Sequence, residues 1–306
     1  MATQAAEVPH DARSSALKIV GVIQARVGST RLPGKVLLPL GGRPALERML
    51  ARVAHAEHLD EIVVATTRLA ADDSIRRLAA ACGVACISGD PYDLVDRHLL
   101  AARATGADAI VKIPSDCPLI DPAVIDEIVG FFRANSERYA YVSNLHPATW
   151  PDGNDVEVIR LDALEATARE AKRPFEREHT TPFIWDQPER FALANVRWST
   201  GQDLSATVRL TLDYQEDYQL ISAVFEALHR AGSADAAGAF VPPFTVEAIV
   251  DHLDRHPEVR ALNAAYTGQS WIQSYASELR TLAGGAQRAQ LAPDAPAADA
   301  AAWEVP

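Results

Sequence analysis

Leu17-Lys18-Ile19-Val20-Gly21-Val22-Ile23 runs straight into Gln24-Ala25-Arg26-Val27-Gly28-Ser29-Thr30-Arg31-Leu32-Pro33-Gly34-Lys35, and this junction decides the fold class. The first part is a short apolar run of the kind found in strands buried on both faces. The second part combines glycines, hydroxyls and the cations Arg26, Arg31 and Lys35. Glycine lets a backbone turn and approach a ligand closely, turn N–H groups can form an anion-binding nest, and Arg and Lys neutralise phosphate charge. Arg26 and Lys35 read as the charge partners, with Gly28 and Ser29 as backbone and hydroxyl donors. The alternative, a basic surface turn, loses ground because the loop sits at a strand end. The ATP-binding P-loop is excluded: Gly28 and Gly34 are one residue too far apart, and Val36 stands where a magnesium-binding Ser or Thr is required. The loop therefore points to a nucleotide held in another way.

Downstream, strands and helices alternate. Residues 44–56 read as a helix with proline in its first turn, 61–66 as a second strand, and the region from Asp72/Asp73 as a helix with acids at its start. Cys82-Gly83 reads as a helix C-cap before a third strand at 84–88. A helix at 93–105 is closed by Gly106, a fourth strand covers 109–113, and a helix follows at 122–134. Repeated βα units predict parallel strands covered by helices, with ligands at the carboxyl edge. The second half loses this alternation, with short strands predicted at 140–143, 156–159, 191–195 and 207–211. Helices are predicted at 161–171, 175–185, 215–228 and 246–256. Residues 141–198 read as an elaboration closing over the sheet edge on the second-substrate side. One domain is expected over 17–283, with a disordered lead at 1–16 and an Ala/Pro/Gly/Asp-rich disordered tail at 284–306.

The 306 residues can bury a substantial core, and 48% hydrophobic with 23% charged residues places the chain among soluble globular proteins. No apolar stretch approaches the roughly 18 residues that span a bilayer, and the polar start is neither signal peptide nor anchor. A net charge of −12 argues against nucleic-acid or anionic-membrane partners, so an anionic ligand needs a local basic pocket. Cys82, Cys86 and Cys117 are too few for a disulfide framework and suggest a reducing cytoplasm.

Three further clusters carry chemistry. Pro114-Ser115-Asp116-Cys117-Pro118-Leu119-Ile120-Asp121 follows the fourth strand, on the same edge as the basic loop. Magnesium is held by one or two carboxylates plus substrate phosphates, a role that suits Asp116, whereas Asp121 precedes Pro122 and reads as a helix cap. Leu212-Asp213-Tyr214-Gln215-Glu216 allows two readings. Asp213 is either an N-cap with Glu216 as its capping-box partner, or a metal ligand if its strand ends beside the fourth. Asp152, Asp155 and Glu157, with Arg177 and His179 downstream, could bind a polar, carboxylated or hydroxylated acceptor.

Together these residues resemble a family, the cytidylyltransferase-like proteins of the spore-coat polysaccharide SpsF type, relatives of the acylneuraminate and KDO cytidylyltransferases. The resemblance rests on Gln24-Ala25-Arg26-x-Gly28-Ser29-Thr30-Arg31-Leu32-Pro33-Gly34-Lys35, Ile62-Val63-Val64-Ala65-Thr66-Thr67, and Asp116-Cys117-Pro118-Leu119-Ile120-Asp121. It extends through Asp152-Gly153-x-Asp155-Val156-Glu157-Val158, Arg177-Glu178-His179 and Leu212-Asp213-x-x-x-Asp217. Pro114-Ser115 replaces the relatives' Thr-Gly before the metal aspartate, and Tyr214-Gln215 replaces their Thr-Pro.

The resemblance implies an α/β, Rossmann-like nucleotide-diphospho-sugar transferase fold of the GT-A-like type, with a mixed, mainly parallel sheet flanked by helices. It implies CTP over the first loop, Mg²⁺ or another divalent cation on Asp116 and Asp213, and Ser115 beside the nucleotide. The Ala25 backbone and Ala65-Thr66 would lie near the base, and a homodimer is also implied. The expected reaction is attack of an oxygen of an acidic sugar, or of a phosphonate or phosphate acceptor, on the α-phosphorus of CTP, with pyrophosphate leaving. Arg26, Lys35 and Asp116 would carry the catalysis. Asp152, Asp155, Glu157, Arg177 and His179 would hold the acceptor. A metal-dependent GT-A glycosyltransferase is the competing enzyme reading, but the loop suits a departing pyrophosphate better. A non-catalytic scaffold would predict a lost metal carboxylate or phosphate lysine, and neither is lost.

Overall fold

The computed structural model describes residues 17–229 and 244–283. The disordered lead and tail expected at 1–16 and 284–306 lie outside the described residues. In chain order the strands are β1 (Ile19–Gln24), β2 (Pro39–Leu40), β3 (Arg43–Pro44), β4 (Glu61–Thr67), β5 (Ala85–Gly89), β6 (Ala109–Pro114), β7 (Tyr141–Ser143), β8 (Glu157–Arg160) and β9 (Leu193–Asn195). The α-helices are α1 (Ala45–Val53), α2 (Asp73–Ala81), α3 (Leu94–Thr105), α4 (Pro122–Ala134), α5 (Leu161–Glu170), α6 (Pro174–His179), α7 (Pro182–Trp185), α8 (Gln215–Leu228), α9 (Val246–Arg255), α10 (Pro257–Arg260) and α11 (Arg280–Ala283).

β2 and β3 form a small ribbon, while the other strands make one seven-stranded sheet in the order β5-β4-β1-β6-β8-β7-β9. Within that sheet β8 pairs antiparallel with both β6 and β7, and the other pairings are parallel. The sheet is thus Rossmann-like, mixed and mainly parallel. Its strand order places the ligand crevice. From β1 the chain moves outward to β4 and β5, then returns to lay β6 on the other side of β1. The crossovers diverge at this switch point and leave a crevice beyond the carboxyl ends of the strands. The loop after β1 and the Pro114–Asp121 turn both open into it.

Burial explains the strand chemistry. Along β1, Ile19 and Ile23 face a core containing Leu46 and Met49 of α1 and Ile125 and Ile128 of α4. Val20 and Val22 face the opposite layer with Val95 of α3 and Leu164 of α5. Both faces are therefore covered, as the unbroken apolar run requires. Leu210, Leu212, Leu220 of α8 and Ile249 of α9 form a smaller cluster under the second half. Caps fall where local chemistry predicts. Asp93 accepts from Asp96 N (3.0 Å) to start α3, and Asp121 accepts from Ala123 N (2.9 Å) to start α4.

The second half departs from expectation in particular places. The single helix predicted at 175–185 is two, α6 and α7, because Thr180 takes φ 70° and Pro182 opens the second helix. Residues 207–211 form no strand, and their β-type pairing is limited to one isolated bridge, Asp152 to Arg209. Residues 141–198 supply β7, β8 and β9, so they extend the sheet itself.

Two buried histidines couple this fold to pH. His98 of α3 is fully buried with Nδ1 2.8 Å from Leu94 O, and burial pushes its pKa down to about 3. Burial pushes His146 down to about 4. Both are neutral when folded and take up a proton on unfolding below their ordinary value of about 6.5. Stability therefore falls with decreasing pH, by about 1.4 kcal/mol per pH unit for each histidine in that window. Urea denaturation from pH 7 to pH 5 should show this slope, shallower in His98→Gln. A flat profile would overturn the assignment.

Candidate functional site

β1 lies between β4 and β6, and its end is fixed by Ala25 N donating to Ala65 O (3.0 Å) and Ser115 N to Gln24 O (3.2 Å). The loop then folds back on itself. Val27 N donates to Asp72 Oδ1 (2.7 Å), Gly34 N to Val27 O (3.1 Å) and Leu32 N to Ser29 Oγ (3.2 Å). Ser29 N–H is engaged by Val27 O (2.9 Å), which leaves the hydroxyl as this residue's free donor. Gly34 adopts φ 69°, a left-handed conformation that glycine takes readily, and starts the short turn that returns Lys35 to the sheet edge.

Lys35 Nζ lies 2.8 Å from Asp116 Oδ2 and 2.9 Å from Asp213 Oδ1. Arg31 Nη2 reaches the same Asp213 oxygen at 2.6 Å. Burial disfavours the Lys35 charge, but the two carboxylates outweigh it and raise the ammonium above its ordinary value. Burial likewise opposes ionisation of Asp213, yet Lys35, Arg31 and Arg209 hold it below the usual carboxylate range. Asp213 is not the helix cap. Tyr214 occupies that position, and Asp217 accepts from both Asp213 N and Tyr214 N at 2.9 Å. This leaves the Asp213 carboxylate free to face Asp116, whose carbonyl accepts from Leu212 N at 2.7 Å.

Arg209 organises the acids behind this pair. It donates to Asp217 Oδ1 (3.0 Å), Asp152 Oδ2 (3.0 Å) and Asp213 Oδ2 (3.1 Å) from a 5% exposed position. Gly153, at φ 104°, admits this contact: a Cβ there would sit 2.8 Å from the Leu210 carbonyl carbon. Burial raises Asp152 against the pull of Arg209. Asp155 is pushed up to about 7, by burial first and then by Asp152.

Towards α6 the character changes. Glu157 is buried in an ion pair with Lys112 and accepts from Tyr141 OH (2.6 Å). Arg177 binds the carboxylate of Asp93 and donates to Ala168 O (2.9 Å), tying α6 to α3 and α5. His179 stacks on Trp271 with ring centroids 3.7 Å apart, and burial lowers it to about 4.

These parts surround one cavity of about 1280 Å³, and every predicted site residue lines it except Ala65 and Thr66. That volume exceeds the roughly 300–1,000 Å³ of a usual single-ligand pocket. Ala65 and Thr66 are fully buried behind the wall. Ala25 N–H already donates to Ala65 O as part of the strand pairing. Sequence reasoning missed Arg97, Lys112, Arg209 and Trp271. Arg97, 6% exposed, lines the cavity with its Nε unpaired, and burial and then Arg26 lower it to about 10. Its helical context looks like that of any surface arginine. For Arg209 a weak signal existed in its place between apolar residues four positions before Asp213.

Among the described residues no group of three or more His, Cys, Asp or Glu side chains is set to hold a metal by itself. Asp116 and Asp213 nevertheless converge on one cationic atom, the geometry a divalent ion needs when substrate phosphates complete its shell.

Residues 20–241 match a family model described as "Cytidylyltransferase". The spore coat polysaccharide biosynthesis protein SpsF of Bacillus subtilis is 29% identical over 247 residues, 78% of this chain and 95% of its own. The 3-deoxy-manno-octulosonate cytidylyltransferase of Geobacter sulfurreducens is 38% identical over 121 residues, 39% of this chain and 47% of its own. The solved structure of a cytidylyltransferase from Leptospira borgpetersenii superposes with a TM-score of 0.71 at 30% identity, covering 83% of this chain and 98% of its own.

Arg209→Met leaves Asp152, Asp213 and Asp217 without their shared cation. Removing one partner from a buried ion pair costs about 3–5 kcal/mol, and denaturant unfolding should show a loss of that size. Arg209→Lys should recover part of it. Unchanged stability in Arg209→Met would mean the acids are balanced elsewhere.

Proposed function

The chain belongs to the cytidylyltransferase family, and we propose that this cavity transfers CMP from CTP to an oxygen of an acidic sugar, releasing pyrophosphate. The observation that carries the reading is Lys35 held between Asp116 and Asp213 at the switch point of the sheet. Acid and base chemistry are secondary in such a displacement, which depends on positioning and on neutralising charge. Arg26 and Arg97 both line the cavity, the Arg26 charge disfavours that of Arg97, and a polyphosphate bound beside them would offset it. Arg31 and Lys35 supply further positive charge on the pyrophosphate side. Asp116 and Asp213 would hold a divalent ion such as Mg²⁺, which supplies Lewis-acid stabilisation of phosphate charge when bound. Lys35 would then turn its ammonium from the carboxylates to the phosphates.

The cavity has room for both substrates. Asp152, Asp155, Glu157, Arg177, His179 and Lys112 line the acceptor side, with Arg177 tied to Asp93. Cys82, Cys86 and Cys117 are free thiols, which suits a reducing cytoplasm, and among the described residues no helix is long and apolar enough to cross a membrane. A homodimer belongs to this reading by resemblance.

The test is pyrophosphate release with each of the four nucleoside triphosphates, Mg²⁺ and a panel of sugar acids and phosphonates. Release should require CTP and acceptor together, and Asp116→Asn should reduce it at least about a hundredfold. Lys35→Ala should raise the KM for CTP about tenfold or more. Turnover of a nucleotide-sugar donor with no pyrophosphate from any acceptor would overturn the reading.

A further inference from the structure

The family match ends at residue 241, yet the chain returns to the cavity beyond it. Residues 268–275 form part of the cavity wall. They belong to a strap anchored at both ends. On one side Asn263 Nδ2 donates to Asp217 Oδ1 (2.8 Å) and Arg209 O (3.0 Å). On the other, Arg173 Nη1 donates to Glu278 O (2.7 Å) and Thr281 N to Asp186 Oδ1 (2.9 Å). Between these anchors the strap is held against α6 by rings. Trp271 stacks on His179 at 3.7 Å, and Tyr275 on Phe175 at 4.9 Å.

The strap's chemistry is distinct from that of the nucleotide half. Gly268-Gln269-Ser270-Trp271-Ile272-Gln273-Ser274-Tyr275 contains no charged side chain. It lines the cavity with two aromatic rings, two serine hydroxyls and two carboxamides, whose Nε2 atoms donate to Ala265 O and Gly268 O and leave the amide oxygens as acceptors. The cations at this end already have partners, Lys112 on Glu157 and Arg177 on Asp93. A short phosphonate, with its charge concentrated on one group, would call for free cations in fork or point contact. A sugar acid has a single carboxylate, which the remaining N–H donors of Lys112 can meet, and a ring bearing many hydroxyls. Hydroxyls pair with amides and serines, and apolar ring faces pack on aromatic surfaces.

We propose that residues 268–275 are the acceptor-selecting wall of this enzyme, with the Trp271–His179 stack and its neighbouring amides and hydroxyls fitted to a polyhydroxylated sugar acid. The inference rests on the cytidylyl-transfer reading for the nucleotide half and adds the element that chooses the acceptor. Trp271 acts by direct contact with that acceptor. His179, neutral at pH 7 because burial lowers it to about 4, offers both a donor and an acceptor nitrogen.

Calorimetric binding on the full chain separates the two ideas. The protein is first saturated with Mg²⁺ and a non-reactive α,β-methylene analogue of CTP. It is then titrated with sugar acids, 3-deoxy-manno-octulosonate among them, and with methylphosphonate. The wild type should bind a sugar acid in preference to methylphosphonate. Trp271→Ala should weaken that sugar acid about tenfold or more and leave the CTP analogue within about twofold, while Trp271→Phe retains most of the affinity because a ring remains. Unchanged sugar-acid binding in Trp271→Ala overturns the proposal, and so does equal weakening of nucleotide and sugar acid, which marks a merely structural strap. Preference for methylphosphonate overturns it as well. Failure of the wild type to bind the CTP analogue strikes the nucleotide reading and this proposal together, whereas nucleotide binding without any sugar acid strikes this proposal alone.

Discussion

Asp116 and Asp213 carry like charge and are brought to a single point, and much of the surrounding structure exists to make that tolerable. Two carboxylates sharing a site repel, and one of them protonates unless cations intervene. Here Lys35 bridges the pair and Arg31 reaches the same Asp213 oxygen. Arg209 holds Asp213 from behind. The backbone cooperates, because Leu212 N donates to Asp116 O at 2.7 Å and so locks the two segments in register whatever the side chains do. A cation position defined in this way is what a metal-bridged polyphosphate requires.

The rest of the cavity follows from where that point lies. β1 and β6 are neighbours at the place where the order of crossovers reverses, so their loops diverge and leave space between them. On one side of the point the wall is cationic, with the Arg26 charge close enough to disfavour that of Arg97. On the other side the cations are neutralised by acids and the surface becomes aromatic and amidic. The two ends of the cavity therefore differ in kind. A strap from beyond the family match forms part of the second.

Much of the fold could be read along the chain because its signals are local. The apolar run at β1, the acids before α2, Asp93 and Asp121 as caps, and glycines at 83 and 106 with positive φ each report on residues a few positions away. Local signals left the reading open, or pointed elsewhere, where tertiary contact decides. Asp213 sits where a capping residue would, and spacing paired it with Glu216. Asp217 instead caps the helix through Tyr214, because Arg209 and Asn263 fix the Asp217 carboxylate from outside the turn. Residues 207–211 have the composition of a strand, but one bridge to Asp152 replaces a ladder.

By itself the sequence determined a parallel-strand α/β fold, a basic loop on its carboxyl edge, and the two acids able to face that loop. These follow from periodicity, caps and turn residues, whose physics is complete within a few residues. Only the tertiary structure decided which charges meet. Arg97 in a helix and Arg209 beside a turn read the same whether their partners are water, a carboxylate or a ligand. The choice depends on segments distant in the chain being packed to within 3 Å. The loop after β1 was recognisable as a cationic, glycine-bearing turn from its own residues. Its role as one side of a bridged pair of carboxylates, and the aromatic wall that faces it, came from folding the chain's far end back onto its beginning.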